Sequence, residues 1–298
     1  MTGQVAAPQQ PQECPARTRR EFGGRAVMLA DQAGTRPGGP PILFVNGCSV
    51  SGALWEPVLR LLGGERRITF DRPGLAGTPW PGELPTLAQE TRTLTELVEW
   101  IGAPVVLVAH SMASFHAEAL ARLRPDLVAA MVMVDGSVEW LDRPPRPGRL
   151  WPAKAVHRMT SVPPLHRLGG VVHRLGISAQ TAQRLSPRVS ERLGQLYSDP
   201  DSMAMGLAEA SAYLGQAWEL LALRGAHPMP SLPVQVLSAT KLVPRWWCRT
   251  QRRWSRLLGG PSGMSEQVDV AGSRHMMMLD RPDAIVQAIE QVRSTLPR

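Results

Sequence analysis

From Ile42 to Val134, short aliphatic runs alternate with longer stretches whose apolar positions recur at helical spacing. Ile42–Val45, Arg67–Phe70, Val105–Ala109 and Val128–Val134 are rich in β-branched and aliphatic side chains and bounded by turn formers, so they predict strands. Another strand is predicted near Arg25–Ala30. Leu54–Leu62, Thr86–Ile101 and Met112–Arg122 predict helices between them. Regular alternation of this kind predicts an α/β fold, a mostly parallel central sheet with helices on both faces. Such sheets bind ligands at the carboxyl ends of their strands.

The strand signal stops near Glu139 and resumes after Ala226. Pro144-Pro145-Arg146-Pro147-Gly148 and His227-Pro228-Met229-Pro230 punctuate the two ends, and Thr181–Tyr197 and Met203–Leu223 carry helical patterns. The boundaries predict a core of residues 21–138 and 227–298 and a helical insertion of residues 139–226. After the insertion come a strand around Leu232–Ala239, a short strand after Glu266, a Gly272-Ser273 loop presenting His275, and a last helix from Ala284 to Leu296. Met1–Arg20, rich in Gln, Pro, Ala and Arg with no apolar segment, reads as a disordered leader rather than a secretory signal.

Charge narrows the functional classes only a little. The 33 Lys and Arg exceed the 25 Asp and Glu, for a formal net charge of +8, which raises nucleic acid as a partner. The excess is mostly arginine spread along the chain, without a helix-turn-helix, zinc-finger or RNA-binding motif, so nucleic acid is not the expected partner. The stretch from Arg245 to Arg256, basic and aromatic together, would suit an anionic substrate or partner. No run of 18 apolar residues is present, so no membrane span is expected. Three widely spaced cysteines, Cys14, Cys48 and Cys248, form neither a disulfide framework nor a Cys-x-x-Cys metal pair and fit a reducing cytoplasm. Oligomeric state is left open.

The chemistry centres on Ser111, where the run Val105–Ala109 stops at a hydroxyl between Ala109 and Ala113 and the chain turns helical. A nucleophile on so tight a turn needs very small residues two positions to either side. Helix N–H groups then face a developing negative charge. A serine at this junction also suits a plain helix N-cap. His275 stands on a loop between packed elements, where solvent exposure is the ordinary alternative. His157, His166 and His173, separated by nine and seven residues, do not share a helical turn as metal ligands would and are expected on a solvated face. No metal or cofactor site is expected. Trp140, Trp151, Met159, Met203, Met205, Tyr213 and Trp218 are candidate pocket-lining residues, with ordinary core packing as the alternative. Met276-Met277-Met278 should pack beside the site, and His110 should be structural in the turn.

These pieces stand in the order of the α/β-hydrolase fold superfamily, which the chain resembles from about Arg25 to Leu296. The resemblance rests on Asn46-Gly47 where that family often has His-Gly, on Asp71-Arg72-Pro73-Gly74, on the Ser111 turn, on Val134-Asp135-Gly136-Ser137 and on Ser273-Arg274-His275. It implies a triad in the order serine, acid, histidine. Backbone N–H groups of Met112 and Cys48 would form the oxyanion hole, and the insertion would be a helical cap over a small-molecule pocket.

One departure concerns the acid, which the family usually carries after the strand that follows the cap. From Ser231 through Ser265 there is no Asp or Glu. Asp135, at the end of the strand after Ser111, is the substitute, a placement shared with haloalkane dehalogenases; the alternative is that it caps its own loop through Gly136 and Ser137. The expected activity is cofactor-independent hydrolysis of an ester or related acyl bond in a small, largely apolar substrate, by Ser111, His275 and Asp135. Acyl transfer or perhydrolysis on the same triad, and ligand binding without catalysis, are the alternatives.

Overall fold

A computed structural model describes residues 16–35, 38–260 and 264–296. Among these residues eight strands form one sheet: β1 (Arg17–Phe22), β2 (Arg25–Gln32), β3 (Ile42–Val45), β4 (Arg67–Asp71), β5 (Val105–His110), β6 (Val128–Val134), β7 (Val234–Ala239) and β8 (Ser265–Val270). Their order is β1-β2-β4-β3-β5-β6-β7-β8. The β1-β2 hairpin is antiparallel and joins β4 antiparallel, while β3 to β8 run parallel. This is the predicted mostly parallel α/β sheet.

The central strands read as continuous apolar runs because both of their faces are covered. Alternate residues of each strand go to opposite sides: Leu43, Val45, Leu107 and Ala109 enter one core, and Ile42, Phe44, Val106 and Val108 the other. Each fully buried Val, Leu, Ile or Phe side chain among them contributes about 1.5–3 kcal/mol. The edges differ in composition: β1 is Arg-Thr-Arg-Arg-Glu-Phe with four exposed positions, which discourages further strand pairing. Helices α1 (Glu56–Leu61), α2 (Leu87–Ile101) and α3 (Ala113–Leu123) connect the first strands. Thr86 and Gln89 form a reciprocal capping box at the start of α2.

Two expectations need correcting here. Arg17–Arg20, read as the end of a disordered leader, belong to β1, because pairing with β2 satisfies their backbone; Met1 to Pro15, with Cys14, lie outside the described residues. Thr181–Tyr197 is not one helix. Four helices lie between β6 and β7: α4 (Trp151–Thr160), α5 (Arg167–Gln180), α6 (Pro187–Tyr197) and α7 (Pro200–Ala226). Residues 181–186 leave the helical path because the Thr181 hydroxyl and the Ala182 N–H both bond the Asp280 carboxylate. Ser186 then caps α6 with Pro187 in its first turn.

The arginine- and tryptophan-rich stretch after β7 is a helix, α8 (Arg245–Leu258), which buries Gln251, Trp254, Ser255 and Leu258 and turns Arg249, Arg252, Arg253 and Arg256 outward. Its composition is that of an amphipathic surface helix. Short α9 (Met277–Asp280) and α10 (Pro282–Ser294) complete the chain. Among the described residues no helix is long and apolar enough to cross a membrane.

Candidate active site

Ser111 follows directly on β5, with φ at 53°, the left-handed conformation a strand-to-helix turn demands. Its N–H donates to the Val134 carbonyl at 3.2 Å, and its carbonyl accepts from Ser114 and Ser137, both at 3.0 Å. Ala109 and Ala113 are fully buried, as the tight turn requires. Asp135 ends β6 in the same left-handed region, with φ at 42°, and its N–H donates to Leu237 O at 2.8 Å. The next residue must be glycine, since a Cβ at Gly136 would sit 2.6 Å from the Trp254 ring.

His275 lies between β8 and α9. Arg274 N–H donates to Asp280 Oδ2 at 2.8 Å, and Met276 N–H to Gln180 O at 2.9 Å, which pins the loop on either side. The three side chains meet at the strand ends: His275 Nε2 is 2.9 Å from Ser111 Oγ, and His275 Nδ1 is 2.6 Å from Asp135 Oδ2. A carboxylate can only accept, so Nδ1 carries the imidazole proton and Nε2 is free to take the serine proton.

The second Asp135 oxygen accepts from Ala239 N–H at 3.1 Å and from the Trp247 indole at 3.3 Å. Burial by itself would raise this carboxyl, but hydrogen bonding and charge from His275, with the two further donors, outweigh it and hold its pKa below the usual value. Its stabilising contribution is therefore present above the ordinary carboxylate pKa and is lost as pH falls through the lowered value. The acid-free segment after β7 thus takes part by another route. Ala239 and Trp247 orient the carboxylate that β6 supplies, while Lys241 N–H donates to Ser273 O at 2.9 Å and braces the histidine loop.

His110 does more than fill the turn. It is fully buried, and its Nε2 donates to the His275 carbonyl at 3.0 Å, while the two rings lie 4.6 Å apart. Burial pushes its pKa down to about 3, so it remains a neutral positioning residue. Nothing in the sequence signals this role, because its partner is 165 residues away.

Met112 caps α3, and Cys48 follows Gly47 on the loop after β3. Arg72 is fully buried and donates to the carbonyls of Asn46 and, at 2.7 Å, Gly47; Trp55 and Phe70 hold the Asn46 side chain at 2.9 and 2.6 Å. Glu209 on α7 then bonds Arg72 Nε at 2.6 Å and Ser49 N–H at 2.5 Å. Two more helices reach Ser49: the Tyr197 hydroxyl donates to its carbonyl at 2.8 Å, and its own hydroxyl lies 2.5 Å from His173 Nε2. Because His173 Nδ1 faces the Gly169 carbonyl and must donate to it, Nε2 accepts from Ser49. His173, expected on a solvated face, is instead stacked on Tyr197 at 3.8 Å and neutral, its pKa pushed by burial to about 4. His157 pairs with Asp201 at 2.8 Å.

Gly47 is where this loop presses on Ser111. A Cβ there would fall 2.7 Å from His110 Nδ1 and 2.9 Å from Ser111 Cβ. Gly47→Ala is expected to displace the Cys48 amide, and the expected role of that amide as an oxyanion donor predicts a kcat lower by about a hundredfold or more. Steady-state kinetics alongside a melting curve would check it; an unchanged kcat would mean that the loop does not serve the reaction.

Ser111 and His275 open into a cavity of about 350 Å³, walled by Val50, Val172, Gly176, Ile177, Gln180 and Met276. Met276 is placed as expected. The seven tryptophan, tyrosine and methionine candidates are not among the lining residues; Met205 is core, and Trp151 is 65% exposed. Val172, Gly176, Ile177 and Gln180 of that wall come from α5, whose small and aliphatic residues give a weak signal in sequence.

A sheet of this order with a serine turn after its fifth strand is the architecture of the α/β hydrolases. Residues 42–288 match the Alpha/beta hydrolase family, and the chain belongs to it. Among solved structures it is similar to Cfl2 from Burkholderia cenocepacia, at 19% identity over 93% of this chain and 95% of that one, with a TM-score of 0.71. Haloalkane dehalogenase DbeA from Bradyrhizobium elkani USDA94 aligns at 16% identity over 94% and 97% of the two chains, TM-score 0.70. Epoxide hydrolase CorEH aligns at 16% identity over 94% and 98%, TM-score 0.70. At such identities the likeness concerns the fold. Comparison with curated proteins finds no match.

Proposed function

We propose that this α/β hydrolase is a cofactor-independent serine hydrolase that cleaves an ester or related acyl bond of a small, largely apolar molecule. The observation that carries the proposal is the unbroken relay from Ser111 Oγ through His275 to Asp135, with spacings of 2.9 and 2.6 Å. Ser111 attacks the carbonyl carbon while its proton passes to His275 Nε2. Amides of Met112 and Cys48 meet the oxyanion, and Asp135 stabilises the imidazolium. His275 then protonates the leaving group, and in the second half it takes a proton from the water that attacks the acyl-enzyme.

The largely aliphatic wall of the cavity supports the substrate class, since a charged group would be desolvated there without a counter-ion. On this reading residues 139–226 form a cap whose helix α5 roofs the pocket, over a core of residues 21–138 and 227–298. The free thiols of Cys48 and Cys248 fit a reducing cytoplasm.

A fluorophosphonate probe tests the proposal directly. Stoichiometric labelling at Ser111, prevented by prior acylation, is the expected result. No labelling of folded protein would favour ligand binding without catalysis. Product analysis with competing alcohols or peroxide separates hydrolysis from acyl transfer and perhydrolysis.

A further inference from the structure

Helix α5 turns its most apolar face away from the protein. Leu168, Val171, Val172 and Leu175 follow the spacing i, i+3, i+4, i+7 and so form one stripe, yet they are 47%, 42%, 54% and 62% exposed. The opposite face, with Gly169, Gly170, His173 and Ile177, packs inward. The glycines make that packing possible, because a Cβ at Gly169 would lie 2.1 Å from the Tyr197 carbonyl and one at Gly170 2.8 Å from that of Gly194. Val162 and Leu165, just before the helix, add 54% and 36% exposure.

Charge around the stripe is one-sided. Between Arg143 and Ser190 the chain carries nine Lys and Arg and no Asp or Glu, more than the net charge of +8 of the whole sequence. Arg158, Arg167 and Arg174 are exposed, and none is held in an ion pair among the described residues. The stripe also borders the catalytic cavity, since Val172 belongs to both.

We propose that this face of α5 docks on the surface of an anionic lipid bilayer and brings the cavity mouth against it. An apolar row flanked by unpaired arginines is the composition of helices that lie in the membrane interface, where aliphatic side chains enter the acyl boundary and cations meet anionic headgroups. A second copy of this chain fits poorly, because a twofold interface would set the same cationic segment against itself. Docking delivers to Ser111 an ester that partitions into lipid. That last step rests on the hydrolase reading, whereas the docking does not.

The full chain would be sedimented with vesicles of phosphatidylcholine alone or of equimolar phosphatidylcholine and phosphatidylglycerol. Binding to the anionic vesicles, absence of binding to the neutral ones, and weakening by added salt are expected. The double variant Leu168→Glu, Leu175→Glu should bind at least about tenfold more weakly, since neither side chain then enters the apolar layer. Its thermal melt and its hydrolysis of a water-soluble short-chain ester should match those of the parent. If the parent lacked that activity but bound the vesicles, the hydrolase reading alone would fall. No binding to anionic vesicles, or binding that the double variant retains, would overturn the docking. So would self-association, or retention on a nucleic-acid duplex, in place of vesicle binding.

Discussion

Ser111→Ala is expected to lower kcat on an activated ester such as p-nitrophenyl acetate by about 10⁵–10⁶-fold, leaving only what positioning and the oxyanion donors supply. The change removes one oxygen and little else. The backbone bonds of Ser111 to Val134, Ser114 and Ser137 do not involve the hydroxyl. Alanine meets the same left-handed backbone at 53° that serine already occupies, and the small Ala109 and Ala113 two positions to either side are unchanged. His275 keeps its bond to Asp135 and, through its carbonyl, to His110. Stability should therefore hold while turnover collapses. The measurement is kcat beside a thermal melt; a rate within tenfold of the parent would remove Ser111 from the nucleophile's role.

Asp135→Asn should cost about ten-thousand-fold in kcat, for a reason that its surroundings make specific. Two donors, Ala239 N–H and the Trp247 indole, converge on one oxygen of the carboxylate. In asparagine the single carbonyl oxygen is needed there, so the amide NH2 is directed at His275 Nδ1. A donor facing Nδ1 selects the other tautomer, with the proton on Nε2, and that nitrogen can no longer accept from Ser111 Oγ. The same substitution leaves the buried donors satisfied, so stability should change little. Kinetics and a melt distinguish this from a loop-capping role, for which a near-parental kcat is expected. Trp247 ties the acid to α8, a helix whose sequence reads only as basic and aromatic.

Several parts of the site were legible in one dimension because each rests on local chemistry. Ser111 is marked by an aliphatic strand, flanking alanines and a following helix, all within nine residues from Val105 to Ala113. For Cys48 and Met112 the expectation of a donor role comes only from chain order and the family resemblance. Asp135 stands out because Ser231 to Ser265 offers no carboxylate. Nothing local marks His110, Trp247, Arg72, Glu209 and His173 as neighbours of the site. Their partners lie 165, 112, 137, 160 and 124 residues away, and no local pattern encodes such a distance. The polar stretch at residues 181–186 illustrates the same limit, since Asp280 redirects it from nearly a hundred residues downstream.

The alternation of apolar runs determined by itself that this protein builds a mostly parallel sheet, since strands covered on both faces must be apolar throughout, and it located the serine at a strand end. Tertiary structure decided which carboxylate reaches the histidine, which helix walls the cavity, and which face of α5 is left to solvent. Those outcomes depend on backbones approaching closely at Gly47, Gly136 and Gly169 and on charges neutralised from distant elements. Periodicity reports which side of an element is apolar; only packing determines what that side meets.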